Sequence, residues 1–138
     1  MTRINVGIPP AKLHKKHLIA ELHEIIRIPG LVEKRIRKGF GFNDIPKKFT
    51  LGAGHVKFFY DKGLYTYVRY LQLKHEAERR GIKVTDYHSL WQIYAEHPHL
   101  ENDYKPTARD KFIITQRINL RISQFKNNNL GGSLNSQG

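Results

Sequence analysis

The stretch that most limits what this chain can fold into is 11–27, where apolar residues recur at helical rather than strand spacing. At about 100° per residue, Leu18, Ile19, Leu22, Ile25 and Ile26 share one face, and His17, Ala20, Glu24 and Arg27 gather on the opposite one. Glu24 is therefore not expected to point into this helix's own core. His17 and Glu24 stand two turns apart and Arg27 follows Glu24 by one turn, so the three side chains can converge on one ligand. On spacing alone, a solvated face with an ordinary charge pair is the commoner outcome.

On either side, proline sets the limits. Ile8-Pro9-Pro10 blocks helix and ends an extended lead-in. Pro29-Gly30 predicts a kink or break after Ile28 before helix resumes over 31–38, where Lys34, Arg35, Arg37 and Lys38 form a basic run. Solvated surface is the default for that run, with phosphate contact a close rival. A loop is expected over 39–50. The glycines of 51–62 predict a tight turn or close backbone approach; the spacing and preceding strand of a nucleotide-binding glycine loop are missing. In that block His55 is either a phosphate contact or a packed histidine, while Phe58 and Phe59 predict packing.

A second helix is expected over 64–80, burying Val68, Leu71 and the ring faces of Tyr67 and Tyr70, and ending at Gly81 as a C-cap. A short helix over 86–95 would carry Trp91 as a core anchor. Pro98, Asn102 and Pro106 mark an irregular connection, and a third helix over 107–125 would pack through Phe112, Ile113, Ile114, Ile118 and Leu120. On it, Arg117 and Arg121 lie one turn apart and present adjacent cations, a solvated pair by default. The expected fold is all-α: a compact single domain, 1–126, of about three main helices with long irregular connections, then a disordered tail over 127–138.

At 138 residues the chain is the size of one domain with one core. It has no cysteine, hence no disulfide framework or thiolate metal site, and its eight scattered histidines form no metal-ligand pattern; no metal is expected. No apolar run approaches the roughly 18 residues of a spanning helix and no signal-peptide core is present, so an intracellular protein without membrane contact is expected. Charge is more telling. Twenty-four Lys and Arg against twelve Asp and Glu give +12, with a pI near 10.0, which points to a polyanion, nucleic acid first. Residues 1–50 hold eleven basic and four acidic residues, a net of +7, so the basic excess is densest around the first helix.

The lead-in adds chemistry. If Met1 is removed, which its small neighbour Thr2 permits, the new terminus is an α-amine of pKa about 7.7 to 8.0, against about 10.4 for lysine. Such an amine is partly a free nucleophile at neutral pH and can form a Schiff base at the anomeric carbon of a deoxyribose, with Glu24 as the carboxylate for proton transfer. Any Met-Thr start offers this amine, and a retained Met1 would bury it in an amide bond.

Three blocks now stand in order: Met1-Thr2-Arg3-Ile4-Asn5, His17-Leu18-Ile19-Ala20-Glu21-Leu22-His23-Glu24, and Leu51-Gly52-Ala53-Gly54-His55-Val56-Lys57-Phe58-Phe59-Tyr60-Asp61-Lys62. With Arg80-Gly81, Asp103-Tyr104, Pro106 and Gln116-Arg117, they resemble the phage pyrimidine-dimer DNA glycosylases with abasic-site lyase activity, the T-even phage endonuclease V type, over about 1–121. The resemblance implies a repair enzyme, monomeric and without cofactor, acting on lesion-bearing double-stranded DNA and phage-, virus- or bacterially encoded. It also implies Thr2 and Glu24 as catalytic residues, with Arg3, His17, His23, Arg27, Arg117 and Arg121 on the DNA. Two positions depart from the pattern. His23 stands where the best-known member has arginine, and the family's aromatic, basic C-terminal segment, associated with dimer recognition, is replaced by Asn127-Asn128-Asn129-Leu130-Gly131-Gly132. Two alternatives remain open: a relative excising another damaged or modified base, and a basic DNA-binding protein without catalysis.

Overall fold

The first helix starts at a cap rather than where its apolar pattern begins. Pro10 opens a 3-10 turn over Pro10–Lys12, Leu13 is extended, and the His14 ring accepts the Lys16 N–H at 3.0 Å, so that α1 spans Lys15–Arg37 instead of beginning at Ala11. Nor does it break at Pro29. That residue has no N–H for the Ile25 carbonyl, but Ile25, Ile28, Pro29 and Val32 are all buried, and the apolar area they withdraw from water offsets one missing hydrogen bond.

The computed structural model describes residues 3–136 and, over 127–136, the backbone alone. The chain is all-α, with no strand among the described residues and one isolated bridge between Lys62 and Glu101. Helix α2 spans Gly63–Arg79 and α3 spans Ala108–Ser136; between them lie 3-10 segments at His88–Ala95 and Pro98–Leu100. Helix α3 thus continues past its expected end at 125. The expectation of disorder over 127–138 falls mostly on side chains, and at 137–138 on backbone, outside the described residues.

Helix α2 ends as expected, but its inner face differs. Gly81 has φ +78°; its N–H bonds the Glu78 carbonyl at 2.9 Å and the Ile82 N–H bonds that of Ala77 at 2.9 Å, the paired closure that a left-handed residue after the helix permits. Val68 and Leu71, expected inside, are 43% and 41% exposed, while Thr66, Arg69, Tyr70, Leu73, Glu76 and Ala77 are buried. The face is rotated because both charged residues on it have partners: Arg69 pairs with Glu21 of α1, and Glu76 with Arg79 and Arg80. In α3, likewise, Ile114 and Ile118 are buried and Ile113 partly so, but Phe112 and Leu120 point outward.

One apolar cluster joins Ile4 and Val6 of the N-terminal segment to Leu18, Leu22 and Ile25 of α1, Phe58 and Phe59 before α2, Tyr70 and Leu73 within it, and Ile114 of α3. Trp91 is the core anchor expected of it. It donates its indole N–H to Thr66 Oγ1 at 3.0 Å and stacks on Tyr70 at 4.8 Å, although its segment is 3-10 rather than α. Packing is tight at the start of α2, where a Cβ on Gly63 would lie 2.6–2.8 Å from ring atoms of the buried Tyr94. Gly63→Ala is expected to cost about 1–3 kcal/mol in urea denaturation; an unchanged midpoint would mean that the Tyr94 ring can step aside.

Candidate active site

Met1 and Thr2, the expected nucleophile among them, lie outside the described residues. The segment that carries them is nonetheless fixed from Arg3 onward. The Ile4 N–H donates to His55 Nε2 at 2.9 Å, and the other ring nitrogen, Nδ1, lies 2.7 Å from the Thr50 carbonyl. An acceptor at Nε2 and a donor at Nδ1 define the neutral imidazole tautomer. One residue on, Asn5 Nδ2 donates to Glu21 Oε1 at 2.8 Å. Glu21 is fully buried and forks with Arg69, whose Nε and Nη2 reach its two oxygens at 2.7 and 3.0 Å while Nη1 reaches the Ile8 carbonyl at 2.7 Å. Burial alone would lower the Arg69 pKa, but the Glu21 carboxylate outweighs it and holds it above its ordinary value. Side chains from α1, α2 and the 51–62 turn thus hold residues 4–8.

Beside this segment is a basic cavity of about 220 Å³, lined by Arg3 and Asn5, by Lys16, His17 and Ala20 of α1, and by Arg117, Arg121 and Phe125 of α3. Its cations sense one another. Arg3 is lowered from the usual arginine range by burial and Arg121, with Glu24 opposing; Arg117 is lowered by burial, then Arg121 and Arg3. Three guanidiniums held together at a cost in self-repulsion suit an anionic ligand that relieves it. His17 shares the wall. Burial, then Arg117, His14 and Arg121, push its pKa down, and neither buried ring nitrogen has a hydrogen-bond partner among the described residues. The Phe125 ring lies 5.5 Å from it, with Lys16 Nζ 4.5 Å from the Phe125 centroid.

Glu24 lies within electrostatic reach of Arg3 and accepts from Arg27 Nη1 at 3.2 Å. The polar face expected of α1 is therefore only partly open. Arg27 is 62% exposed in its side chain, but His17 and Glu24 are 7% and 8% exposed as residues, because that face adjoins the N-terminal segment and, at His17, α3. Of the expected site residues, Arg3, His17, Arg117 and Arg121 line one cavity; Glu24 is within electrostatic reach of Arg3 and pairs with Arg27, and neither Glu24 nor Arg27 is among the lining residues. His23 stands apart. It is exposed and lines a different groove of about 280 Å³, with Leu22 and Ile26 of α1, Tyr70 of α2 and Val84 and Tyr87 beyond α2. Of the two readings open for His55, packing holds: it is 3% exposed, with Phe49 and Phe59 rings at 5.4 and 5.5 Å. Among the described residues no group of three or more His, Asp or Glu is placed to hold a metal, and no helix is long and apolar enough to cross a membrane.

The anchors Asn5, Glu21, His55 and Arg69 have a measurable consequence. Burial, opposed by the Thr50 hydrogen bond and aided by Arg3 and Arg117, pushes His55 down to about 4, whereas in the unfolded chain it titrates near 6.5. Between those values the unfolded chain binds more protons, so stability rises with pH from about 4 to 6.5. At about 1.4 kcal/mol per pH unit for one site, the full span is roughly 3 kcal/mol, and His17 acts in the same direction. Urea midpoints at pH 4.5 and 7 check this; equal values would show that the ring remains free to take a proton.

A family model described as pyrimidine dimer DNA glycosylase matches residues 1–90. The match takes in the N-terminal segment, the whole of α1 with Glu24, the turn with His55, and α2; the α3 residues Arg117, Arg121 and Phe125 lie beyond it. Membership implies pyrimidine dimer DNA glycosylase activity, with damaged DNA as the substrate. With close to two thirds of its 138 residues matched in this way, the chain belongs to the pyrimidine dimer DNA glycosylase family, a family of enzymes.

Proposed function

We propose that the protein excises cyclobutane pyrimidine dimers through a Schiff base on the Thr2 amine and then nicks the strand as an abasic-site lyase. The observation that carries this reading is the placement of a buried carboxylate, Glu24, within electrostatic reach of Arg3 in the anchored segment one residue from Thr2. With Met1 removed, the amine attacks C1′ of the damaged pyrimidine's sugar; the bond from C1′ to the base breaks, and the base leaves with the electron pair. The attached amine loses a proton, its lone pair opens the sugar ring by breaking the C1′–O4′ bond while O4′ takes a proton, and Glu24 balances the positive charge of the protonated imine so formed. Removal of a C2′ proton then expels the 3′ phosphate by β-elimination, and water releases the enzyme.

The basic cavity supports the substrate side of the reading. Arg3, Arg117 and Arg121 would take phosphates, with His17 as a neutral partner and Arg27 adding a phosphate contact beside Glu24, and His23 would contact DNA from its separate groove. These contacts need no cofactor or metal, and the protein would act as a monomer on double-stranded DNA inside the cell.

Borohydride trapping on duplexes with a thymine dimer or an abasic site, after intact mass has confirmed loss of Met1, tests the proposal. Capture on both, abolished by blocking the terminal amine, is the expected result. Capture on the abasic site alone would keep the lyase and reassign the lesion; capture on neither would leave the proposed chemistry without support.

A further inference from the structure

The glycine-rich turn at 51–62 takes no part in the chemistry proposed above, yet it presents a buried side chain to the reactive end of the chain. His55 is 3% exposed, enclosed by Phe49 and Phe59, and both its ring nitrogens are engaged, Nδ1 with the Thr50 carbonyl at 2.7 Å and Nε2 with the Ile4 N–H at 2.9 Å. The bond to Ile4 bridges 51 residues of sequence. It acts one residue nearer to Thr2 in sequence than the Asn5–Glu21 bond and four nearer than the Arg69–Ile8 bond. In sequence only Arg3 separates Ile4 from Thr2.

We propose that His55 is a positioning residue for the terminal amine, its neutral imidazole fixing the Ile4 N–H and so limiting where the Thr2 nitrogen can stand relative to Glu24 and the sugar. The inference rests on the Schiff-base reading above. The hydrogen bond needs a lone pair at Nε2, and a second proton on the ring would turn that acceptor into a donor facing a donor. The surroundings keep the lone pair free: burial favours the neutral form, and the charged groups that bear on the ring, Arg3 from the N-terminal segment and Arg117 from α3, are both cations. Freeing one to two backbone residues near a nucleophile loses orientation of the kind that intramolecular reactions exploit, on the order of 10- to 100-fold in rate.

The test compares the full-length wild type with His55→Leu and His55→Gln, each lacking Met1, in single-turnover borohydride trapping on an abasic-site duplex at saturating protein. Affinity for a duplex with an uncleavable abasic analogue is measured in parallel. The leucine variant is expected to trap about 10- to 100-fold more slowly with affinity within about threefold of wild type, and the glutamine variant, whose Oε1 can accept the Ile4 N–H, to recover part of the rate. A folded leucine variant that traps at the wild-type rate would overturn the inference, as would rate and affinity falling together. Should the leucine variant fail to fold, imidazole ¹⁵N spectra of the wild type decide: an unprotonated Nε2 above pH 5 supports the anchor, and a proton on Nε2 refutes it. If the wild type itself captures no DNA through its terminal amine, the Schiff-base reading fails and this inference with it.

Discussion

Glu24→Gln is expected to slow strand cleavage at an abasic site by about 10²- to 10⁴-fold while leaving DNA binding intact or slightly tighter. The range is that of a lost acid–base group. Glutamine keeps the shape of the side chain and can still accept from Arg27, but it neither takes a proton nor balances a cationic imine. The exchange removes the negative charge opposing the self-repulsion of Arg3 and its cationic neighbours, so affinity for a polyanion has no electrostatic reason to fall. Stability should change little, because the Arg27 side chain is 62% exposed and such pairs contribute at most about 1 kcal/mol. Single-turnover cleavage and equilibrium binding on one duplex separate the terms. Cleavage within threefold of wild type would remove Glu24 from the chemistry; rate and affinity lost together would make it a structural residue.

The largest effect on stability is expected at the Glu21–Arg69 pair, where Glu21→Ala or Arg69→Ala should each cost about 3–5 kcal/mol, a large share of the roughly 5–15 kcal/mol of a typical domain. Either change strands a charge, since Arg69 is 5% exposed and Glu21 fully buried. Each also removes a partner from the N-terminal segment, Asn5 in one case and the Ile8 carbonyl in the other. A Glu21→Leu, Arg69→Leu double variant strands neither charge and should be less destabilised than either alanine variant. Denaturant unfolding of the three proteins checks the ordering; single losses below 1 kcal/mol would mean that water reaches the pair.

How far the sequence discloses this arrangement differs by element. The α1 stripe is legible because its apolar residues recur at one period and its flanks carry proline. Glu21 interrupts that stripe three residues after Leu18 and four before Ile25, a local sign that a buried charge needs a partner. The partner is not legible, because Arg69 is 48 residues away and looks like surface on a helix whose outer face carries Val68 and Leu71. The same long-range pairing turned the α2 face from its expected direction, since propensity and apolar spacing take no account of a charge satisfied from another helix. At the candidate site, composition indicates a polyanion and spacing places Arg117 above Arg121. That Arg3, at the far end of the chain, meets them is a tertiary fact, and only the family resemblance pointed to it.

Chains built of helices usually fold fast because most of their contacts are local. Here the N-terminal segment is an exception. Residues 4–13 are held by bonds that close loops of 51 to 70 residues: the Ile4 N–H with His55, the Ile8 carbonyl with Arg69, and the carbonyls of Pro10, Ala11 and Leu13 with the Arg80 guanidinium. A growing chain therefore makes its amino terminus first but cannot seat it until α2 is complete through Arg80. α1 can coil well before then, so the order of synthesis and the order of assembly run opposite ways, and residues 4–13 wait for their partners until more than half of the polypeptide exists.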